Sequence, residues 1–350
     1  MRQYVFRLVI GFNVQLLDLG GLEAMGHNSL HIRRYLLLIC ILLGAVTEAV
    51  SAQAFCALRD PVSRVYELFP EATSYRTVIG TVGPQHRQFL AKNLPFPHHF
   101  NEFGRHSLYV ALQDGRPLGL VHVRSEKGRW GLVEICWALD LDLNVIGFEF
   151  QRCRGPHCDA ISEGIFLKHV SGSKFDSLKE GLRSETIVEL LPESQRALAE
   201  TVLRSGLKTI ALTSAVWREE LIELRAPIQA RSTFGDEVTL EQQSQDVTTA
   251  GNIGFIMNIW GDWIIKNQKG EVRGQLILTS VELPGFSDDL WWAVDSDGVL
   301  IKISSQHGWP DEMTRLAFEE LIGRDIRHFK DCATAAELAA EAVLVKQELP

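Results

Sequence analysis

The sequence lacks the residue spacings that mark several common functional sites. Its six cysteines form no CxxC pair and no CxxCH motif, which argues against a zinc ribbon and a c-type haem. Lysine and arginine are not clustered and the formal net charge is -9, so a nucleic-acid partner is not expected. No Ser-His-Asp, paired-carboxylate or phosphate-loop constellation supports a hydrolase or a nucleotide-triphosphate enzyme, and we assign no catalytic residue.

Near the amino terminus the chain has too short an apolar run for a comfortable membrane span. Residues 35–46 give about a dozen apolar positions, whereas a span needs ~20. Arg33 and Arg34 precede the run, and Ala52 and Ala54 offer the small residues that a signal peptidase inspects. We therefore predict an N-terminal export signal at residues 31–54, with an uncleaved membrane anchor or a buried helix as the alternative. Because Met25 stands where such a signal normally begins, we expect residues 1–24 to be an upstream extension.

Export implies a periplasmic or other extracytoplasmic location, where the surroundings are oxidising. Cys153 and Cys158 could then close a small loop, or both could remain free thiols. With His157 between them, a metal site is a third possibility, although such a cluster lacks a fourth ligand.

A pattern of tryptophan, alanine and two aspartates occurs twice in the chain. Residues 137–151 and 292–306 both read Trp-Ala-apolar-Asp-x-Asp, two further residues, and an apolar run that ends in Gln. The offset between them is about 155 residues, and such self-similarity indicates a repeated unit. Each copy predicts a β-hairpin, because aspartates satisfy a turn and a β-branched run returns. The alternative is two unrelated hairpins of the kind that any sheet protein contains.

The remaining patterns predict an α+β chain with two related domains, each a small antiparallel sheet with flanking helices. A first helix is predicted where Asp60 and Pro61 precede an apolar stripe. Residues 73–104 are polar, and we predict an irregular region there. Strands are predicted over 107–113, 116–125 and 131–138 in the first domain, and over 253–260, 263–267 and 272–278 in the second.

The predicted boundaries follow from composition and from the repeat. Residues 228–251 are polar and lack periodicity, and Pro227 precedes them, so we predict a linker there. The first domain then covers residues 55–227 and the second covers residues 252–350. A closing helix is expected at 334–346.

The surroundings of each hairpin resemble the FMN-binding domain family. In that family a strand with Asp-x-Asp-Gly leads to a loop with a Pro, then to a helix that contains Phe and ends near Gly. The second copy is similar through Pro310 and residues 318–324, and the first through Pro156 and residues 166–175. The first predicted helix also ends in the Phe-Pro-x-Ala motif that is found in these domains. The family includes flavin subunits of the sodium-pumping NADH:quinone reductase and of Rnf complexes, and the flavin domain of the nitrous-oxide reductase regulator.

The resemblance implies specific FMN-binding residues in the first domain. In the family an Asp-x-x-Ser/Thr-Gly-Ala-Thr segment follows the helix, and its last Thr carries FMN through a phosphoester bond. The stretch that begins at Ala211 is similar, which makes Thr213 the first candidate for the phosphate and Thr209 the second, with Ser214 beside them. The alternative is that residues 208–217 are a strand or a helix start with satisfied hydroxyl groups.

In the second domain the same segment departs from the family pattern. Asp331 and Thr334 match, but Ala335 replaces the Gly and Glu337 stands where the flavin-bearing Thr should be. A carboxylate cannot form the phosphoester and repels a phosphate. The resemblance therefore implies that covalent FMN is confined to the first domain.

The resemblance implies an exported flavoprotein that takes part in electron transport with a membrane-associated redox complex. FMN is the implied cofactor and another electron-transfer protein the implied partner. The alternative is a flavin-free structural or interaction module derived from the same domain. A redox protein that uses the Cys153, His157 and Cys158 cluster is a third possibility.

Overall fold

The structure is a computed structural model, and it describes residues 60–97, 104–243, 249–252, 255–283 and 286–326. The predicted export signal, the closing helix, Asp331 and Thr334 lie outside these residues. Within them the chain is α+β, with two antiparallel sheets and flanking helices. The predicted fold class is therefore confirmed.

The first sheet is an antiparallel meander in the order β1-β2-β3-β4-β5. A short helix precedes it and another connects its first two strands. The elements are α1 (Val62–Leu68), β1 (Ser74–Val82), α2 (Pro84–Asn93), β2 (Gly104–Gln113), β3 (Arg116–Gly128), β4 (Gly131–Leu139) and β5 (Val145–Arg152). Asp114 and Gly115 make the two-residue turn between β2 and β3, with φ of 51° and 80°. The three strands predicted here are confirmed.

The prediction of an irregular region over residues 73–104 is wrong. This segment contains β1 and α2. β1 forms the edge of the sheet and is mostly exposed, so its sequence lacks the apolar alternation of a half-buried strand. At α1 the helix itself is confirmed, but no side chain caps its first turn, so Asp60 does not have its predicted role.

Six helices follow the first sheet. They are α3 (Cys158–Ser162), α4 (Ile165–Val170), α5 (Phe175–Arg183), α6 (Thr186–Glu189), α7 (Glu193–Val216) and α8 (Arg218–Phe234). α7 is 24 residues long and its central turns are buried against the sheet. The helix runs through to Val216, so residues 208–217 are neither a strand nor a helix start. Tertiary burial outweighs the low helix propensity of the threonines and isoleucine there.

The described part of the segment predicted as a linker contains regular structure. α8 continues through Pro227 to Phe234, and residues 238–242 form a strand of the second sheet. A proline removes one backbone donor, yet burial of Ala226 and Ala230 holds the helix together on both sides of Pro227. Composition alone does not reveal this burial. Residues 244–248 lie outside the described part of the chain.

The second sheet has the order β11-β10-β9-β8-β6, and β7 pairs with β8 off this path. Its elements are β6 (Val238–Gln242), β7 (Thr249–Asn252), β8 (Phe255–Asn267), β9 (Val272–Leu283), β10 (Phe286–Asp295) and β11 (Leu300–Ser305), followed by α9 (Glu312–Glu319). The two strands predicted at 253–260 and 263–267 form one continuous strand, β8. A β-bulge between Ile259 and Gly261 shifts its register against β9 without ending the strand.

The two hairpins have the same geometry. Trp137 and Trp292 are fully buried and stand opposite Phe148 and Ile303 in register. In the first turn an oxygen of Asp140 accepts hydrogen bonds from the amides two and four residues later, at 2.9 and 2.8 Å. In the second turn the equivalent aspartate, at position 295, accepts the same two bonds at 2.9 Å each.

The likeness extends to the elements on either side of each hairpin. A glycine follows a helix downstream of each hairpin, Gly172 two residues after α4 and Gly323 four residues after α9. Its amide donates to the carbonyl oxygen of the first residue of the return strand, at 2.7 and 2.8 Å respectively. The helix before each sheet ends in a phenylalanine that lies against a glycine of the third meander strand, Phe69 on Gly119 and Phe234 on Gly274. Contacts this specific indicate one unit built twice.

Candidate functional site

Thr209 and Thr213 face a buried polar seam between α7 and the first sheet. With Ser205 they lie four residues apart, so the three hydroxyl groups share one face of the helix. Thr213 Oγ1 lies 3.0 Å from His122 Nδ1, and Ser205 accepts a hydrogen bond of 3.1 Å from the indole of Trp137. Thr209 and Thr213 are both 0% exposed.

Charged side chains extend the seam. Lys208 Nζ lies 2.9 Å from one oxygen of Glu126, and Arg124 Nε lies 3.5 Å from the other. Burial lowers the pKa of His122 well below its usual range, and the charges of Arg124 and His106 lower it further. Burial therefore favours the neutral form of His122 in the folded protein.

The seam does not fit a flavin phosphoester at Thr213. The hydroxyl group is inaccessible and already bonded to His122. Thr213 also lies near the carboxyl end of α7, where backbone amides are used inside the helix and the dipole is negative. Thr209 lies one turn earlier and has the same orientation. Neither residue has the free amides that a phosphate-binding turn supplies.

Ala211 and Ser214 face the other way and line a cleft between the two domains. The cleft has a volume of about 540 Å³, which falls in the range of ~300–1,000 Å³ typical of small-molecule sites. Elements of the first domain form one wall and the ends of β10 and β11 form the other. The remaining lining residues are Phe89, Asn93, Asp142, Leu143, Asn144, Lys174, Phe175, Asp176, Ile210, Ser287, Ser305, Gln306, His307 and Gly308.

Residues of the repeated motif themselves join the two domains beside the cleft. Gln306, the final Gln of the second copy, donates a hydrogen bond of 2.5 Å to Asp142, the second Asp of the first copy. The other end of its amide accepts from the Trp291 indole at 2.6 Å. Arg225 donates to the carbonyl oxygen of Leu141 at 2.5 Å. Burial lowers the pKa of Arg225, and Asp142 opposes that shift.

The amino terminus of α5 opens into the cleft. Lys174 occupies the N-cap position and makes no side-chain hydrogen bond to the first turn. Phe175 and Asp176 follow it, so their backbone amides stand where a helix has no internal acceptors. The Lys174 ammonium donates to the carbonyl oxygen of His307 at 2.5 Å, which places it on the floor between the two walls. A lysine beside free helix amides is an arrangement that can bind a phosphate group.

A second, smaller cleft of about 160 Å³ lies beside the disulfide that joins Cys153 to Cys158. Its lining includes Trp130, whose side chain is largely exposed, and His157. The disulfide uses both sulfur atoms, so they are not metal ligands. No group of three or more His, Cys, Asp or Glu side chains within the described ranges could hold a metal ion.

Comparisons of the chain with protein-family models, with curated proteins and with solved structures gave no match. None of the helices between residues 60 and 326 that the structure describes is both long and apolar enough to cross a membrane.

Sequence reasoning identified Ala211 and Ser214 but missed the residues that share the cleft with them. Lys174 and His307 were not singled out, because only the packing of the two domains brings them together. Asp288, the hydrogen-bond partner of His307, was not singled out either. A signal was available in the repeat. Asp288 and Ser305 occupy positions at which the first copy has the core residues Val133 and Phe150.

Proposed function

We propose that this chain is an exported FMN-binding protein that transfers electrons, and that it holds FMN non-covalently in the cleft between its two domains. The observation that carries the proposal is the uncapped amino terminus of α5 with Lys174 at the cleft floor. This pair supplies the free amides and the positive charge that the phosphate of FMN requires.

The walls of the cleft suit the rest of the cofactor. Phe89, Leu143, Phe175 and Ile210 offer apolar surface for a ring system, and the Ser214 hydroxyl adds a polar group. The carboxylate of Asp142 is already engaged by Gln306 and lies 3.7 Å from Arg225, which reduces its repulsion of an anion. FMN, when bound, supplies one- and two-electron redox chemistry, while the protein supplies binding and orientation.

The disulfide and the apolar amino-terminal run support the extracytoplasmic part of the proposal. A disulfide persists in an oxidising compartment and is rare in the cytosol. We propose that the electron partner is a membrane redox complex or another electron-transfer protein, on the basis of the family resemblance. The alternative, a flavin-free interaction module, is favoured by Asp176, whose carboxylate stands in the first turn of the phosphate-binding helix.

FMN and riboflavin titrations of the full chain test the phosphate site. Lys174→Met is expected to weaken FMN binding roughly 10- to 100-fold, because a hydrogen bond to a charged group contributes about 1.5–3 kcal/mol. Riboflavin has no phosphate, so its affinity should change little. Lys168→Met is the matched control, since Lys168 lies on the exposed side of α4. If Lys174→Met affects FMN and riboflavin equally, or if neither ligand binds wild-type protein, the proposal is wrong.

A further inference from the structure

Asp288 and His307 form a hydrogen-bonded pair at the wall of the cleft. His307 Nδ1 lies 2.5 Å from Asp288 Oδ1, and the Asp288 side chain is only 4% exposed. The carboxylate also accepts a hydrogen bond of 2.8 Å from the amide of Asp289 and one from the Ser305 hydroxyl group. An ionised carboxylate only accepts hydrogen bonds, so Nδ1 of His307 is the donor. Asp288 therefore fixes the ring proton of His307 on Nδ1.

The tautomer determines what His307 offers to the cleft. In a neutral imidazole with its proton on Nδ1, Nε2 is an acceptor. The side chain is 54% exposed and lines the cleft. An acceptor at the wall of the cleft complements an N–H group at the edge of a bound ring.

The internal repeat shows that the fold does not require a buried carboxylate at the position of Asp288. The first copy builds the same two strands with Val133 and Phe150 in place of Asp288 and Ser305, and both residues are buried in its core. Burying a carboxylate where a valine packs is costly unless the charge is paired. The second copy has thus exchanged core packing for a hydrogen-bonded histidine at the cleft.

We propose that His307, oriented by Asp288, accepts a hydrogen bond from the imide or lactam N–H of a heteroaromatic ring bound in the cleft. The inference rests on the proposed function in that FMN carries such an imide. It also extends that function, because it names the ligand atom that the second domain recognises.

The test compares three fluorescent ligands on the full chain: FMN, 3-methyl-FMN, whose imide N–H is blocked, and lumazine, which has the imide but no phosphate. Wild-type protein should bind FMN roughly 2- to 10-fold more tightly than 3-methyl-FMN, as expected for the loss of one neutral hydrogen bond at a half-exposed acceptor. His307→Ala should abolish this preference. Asp288→Asn should reduce it, because an amide can donate to Nδ1 and move the ring proton to Nε2. His169→Ala, on exposed α4, should leave it intact.

The outcomes separate this inference from the proposed function. Equal binding of FMN and 3-methyl-FMN would overturn the role of His307 while leaving FMN as the ligand. Binding of lumazine that depends on His307, without binding of FMN, would support the inference and overturn the FMN assignment. If none of the three ligands binds, both are overturned. Because His307 is half exposed, His307→Gln provides a second variant that is expected to fold even where Asp288→Asn does not.

Discussion

The paired glycines Gly119 and Gly274 give the sharpest test of the repeated unit. A β-carbon at Gly119 would lie 2.6 Å from the carbonyl oxygen of Leu139 and 2.6 Å from the ring of Phe69. At Gly274 it would lie 2.1 Å from the carbonyl oxygen of Val294 and 2.6 Å from the Phe234 ring. Real β-carbons do not approach this closely, and neither a strand backbone nor a ring packed against a core can easily move away.

Alanine at either position should therefore destabilise the protein. Overpacking of a core costs about 1–3 kcal/mol, and the involvement of a backbone carbonyl places both variants toward the upper end, about 2–3 kcal/mol. Chemical denaturation of wild type, Gly119→Ala and Gly274→Ala would measure the loss in free energy of unfolding. Gly147→Ala is the control, since its β-carbon would meet only Leu167, at 3.8 Å.

The reasoning is refuted if either variant is as stable as Gly147→Ala. A loss at only one of the two positions would show that the phenylalanine and glycine contact is not shared by both domains. Comparable losses at both would support one unit built twice.

Three further predictions concern the first domain. Thr213→Val should cost about 1–3 kcal/mol of stability, measured by denaturation, by leaving the buried His122 ring without its partner, and it should leave bound flavin unchanged. Burial lowers the pKa of His122 in the folded state, so His122 takes up a proton more readily in the unfolded chain. The free energy of unfolding should therefore be constant above pH about 6.5 and should fall below it by up to about 1.4 kcal/mol per pH unit. His122→Gln should weaken this pH dependence. Replacing Cys153 and Cys158 by Ser should lower the free energy of unfolding by roughly 2 kcal/mol, because the disulfide closes a short loop with a sequence separation of 5. Thiol titration of the native protein should find Cys136 unreactive, because burial raises its pKa to about 12.

The parts of the fold that could be predicted from sequence are those fixed by short-range chemistry. In each of the turns at Asp140 and Asp295, one carboxylate oxygen accepts hydrogen bonds from two backbone amides. Both amides lie within four residues of the aspartate. The Asp114-Gly115 hairpin is local in the same sense. Such features need no knowledge of the rest of the chain.

The features that sequence did not reveal depend on distant contacts. Residues 208–216 are helical because they are buried against the first sheet, although their threonines and isoleucine suit a strand equally well. The strand β1 lacks apolar alternation because most of its side chains are exposed. Four residues on α7 were suggested as cofactor ligands. Thr209 and Thr213 face the seam, whereas Ala211 and Ser214 face the cleft, since positions on a helix separated by one or two residues face different directions.

The pair of Asp288 and His307 illustrates the same limit at the candidate site. These residues lie on either side of a hairpin and are brought together by the register of β10 and β11. A polar residue at a core position of one repeat copy is a usable signal in this chain. It marks where the second domain departs from the packing of the first.

The central claim is that the cleft binds FMN without a covalent bond, and native and denatured absorbance of the exported full chain tests it most directly. The account predicts flavin absorbance in the native protein. After denaturation and ultrafiltration all of the flavin should pass into the filtrate, and the mass of the polypeptide should show no FMN adduct. Flavin that stays with the denatured chain would place the cofactor on a hydroxyl group and contradict the account. A colourless native protein that binds no added FMN would favour the flavin-free module.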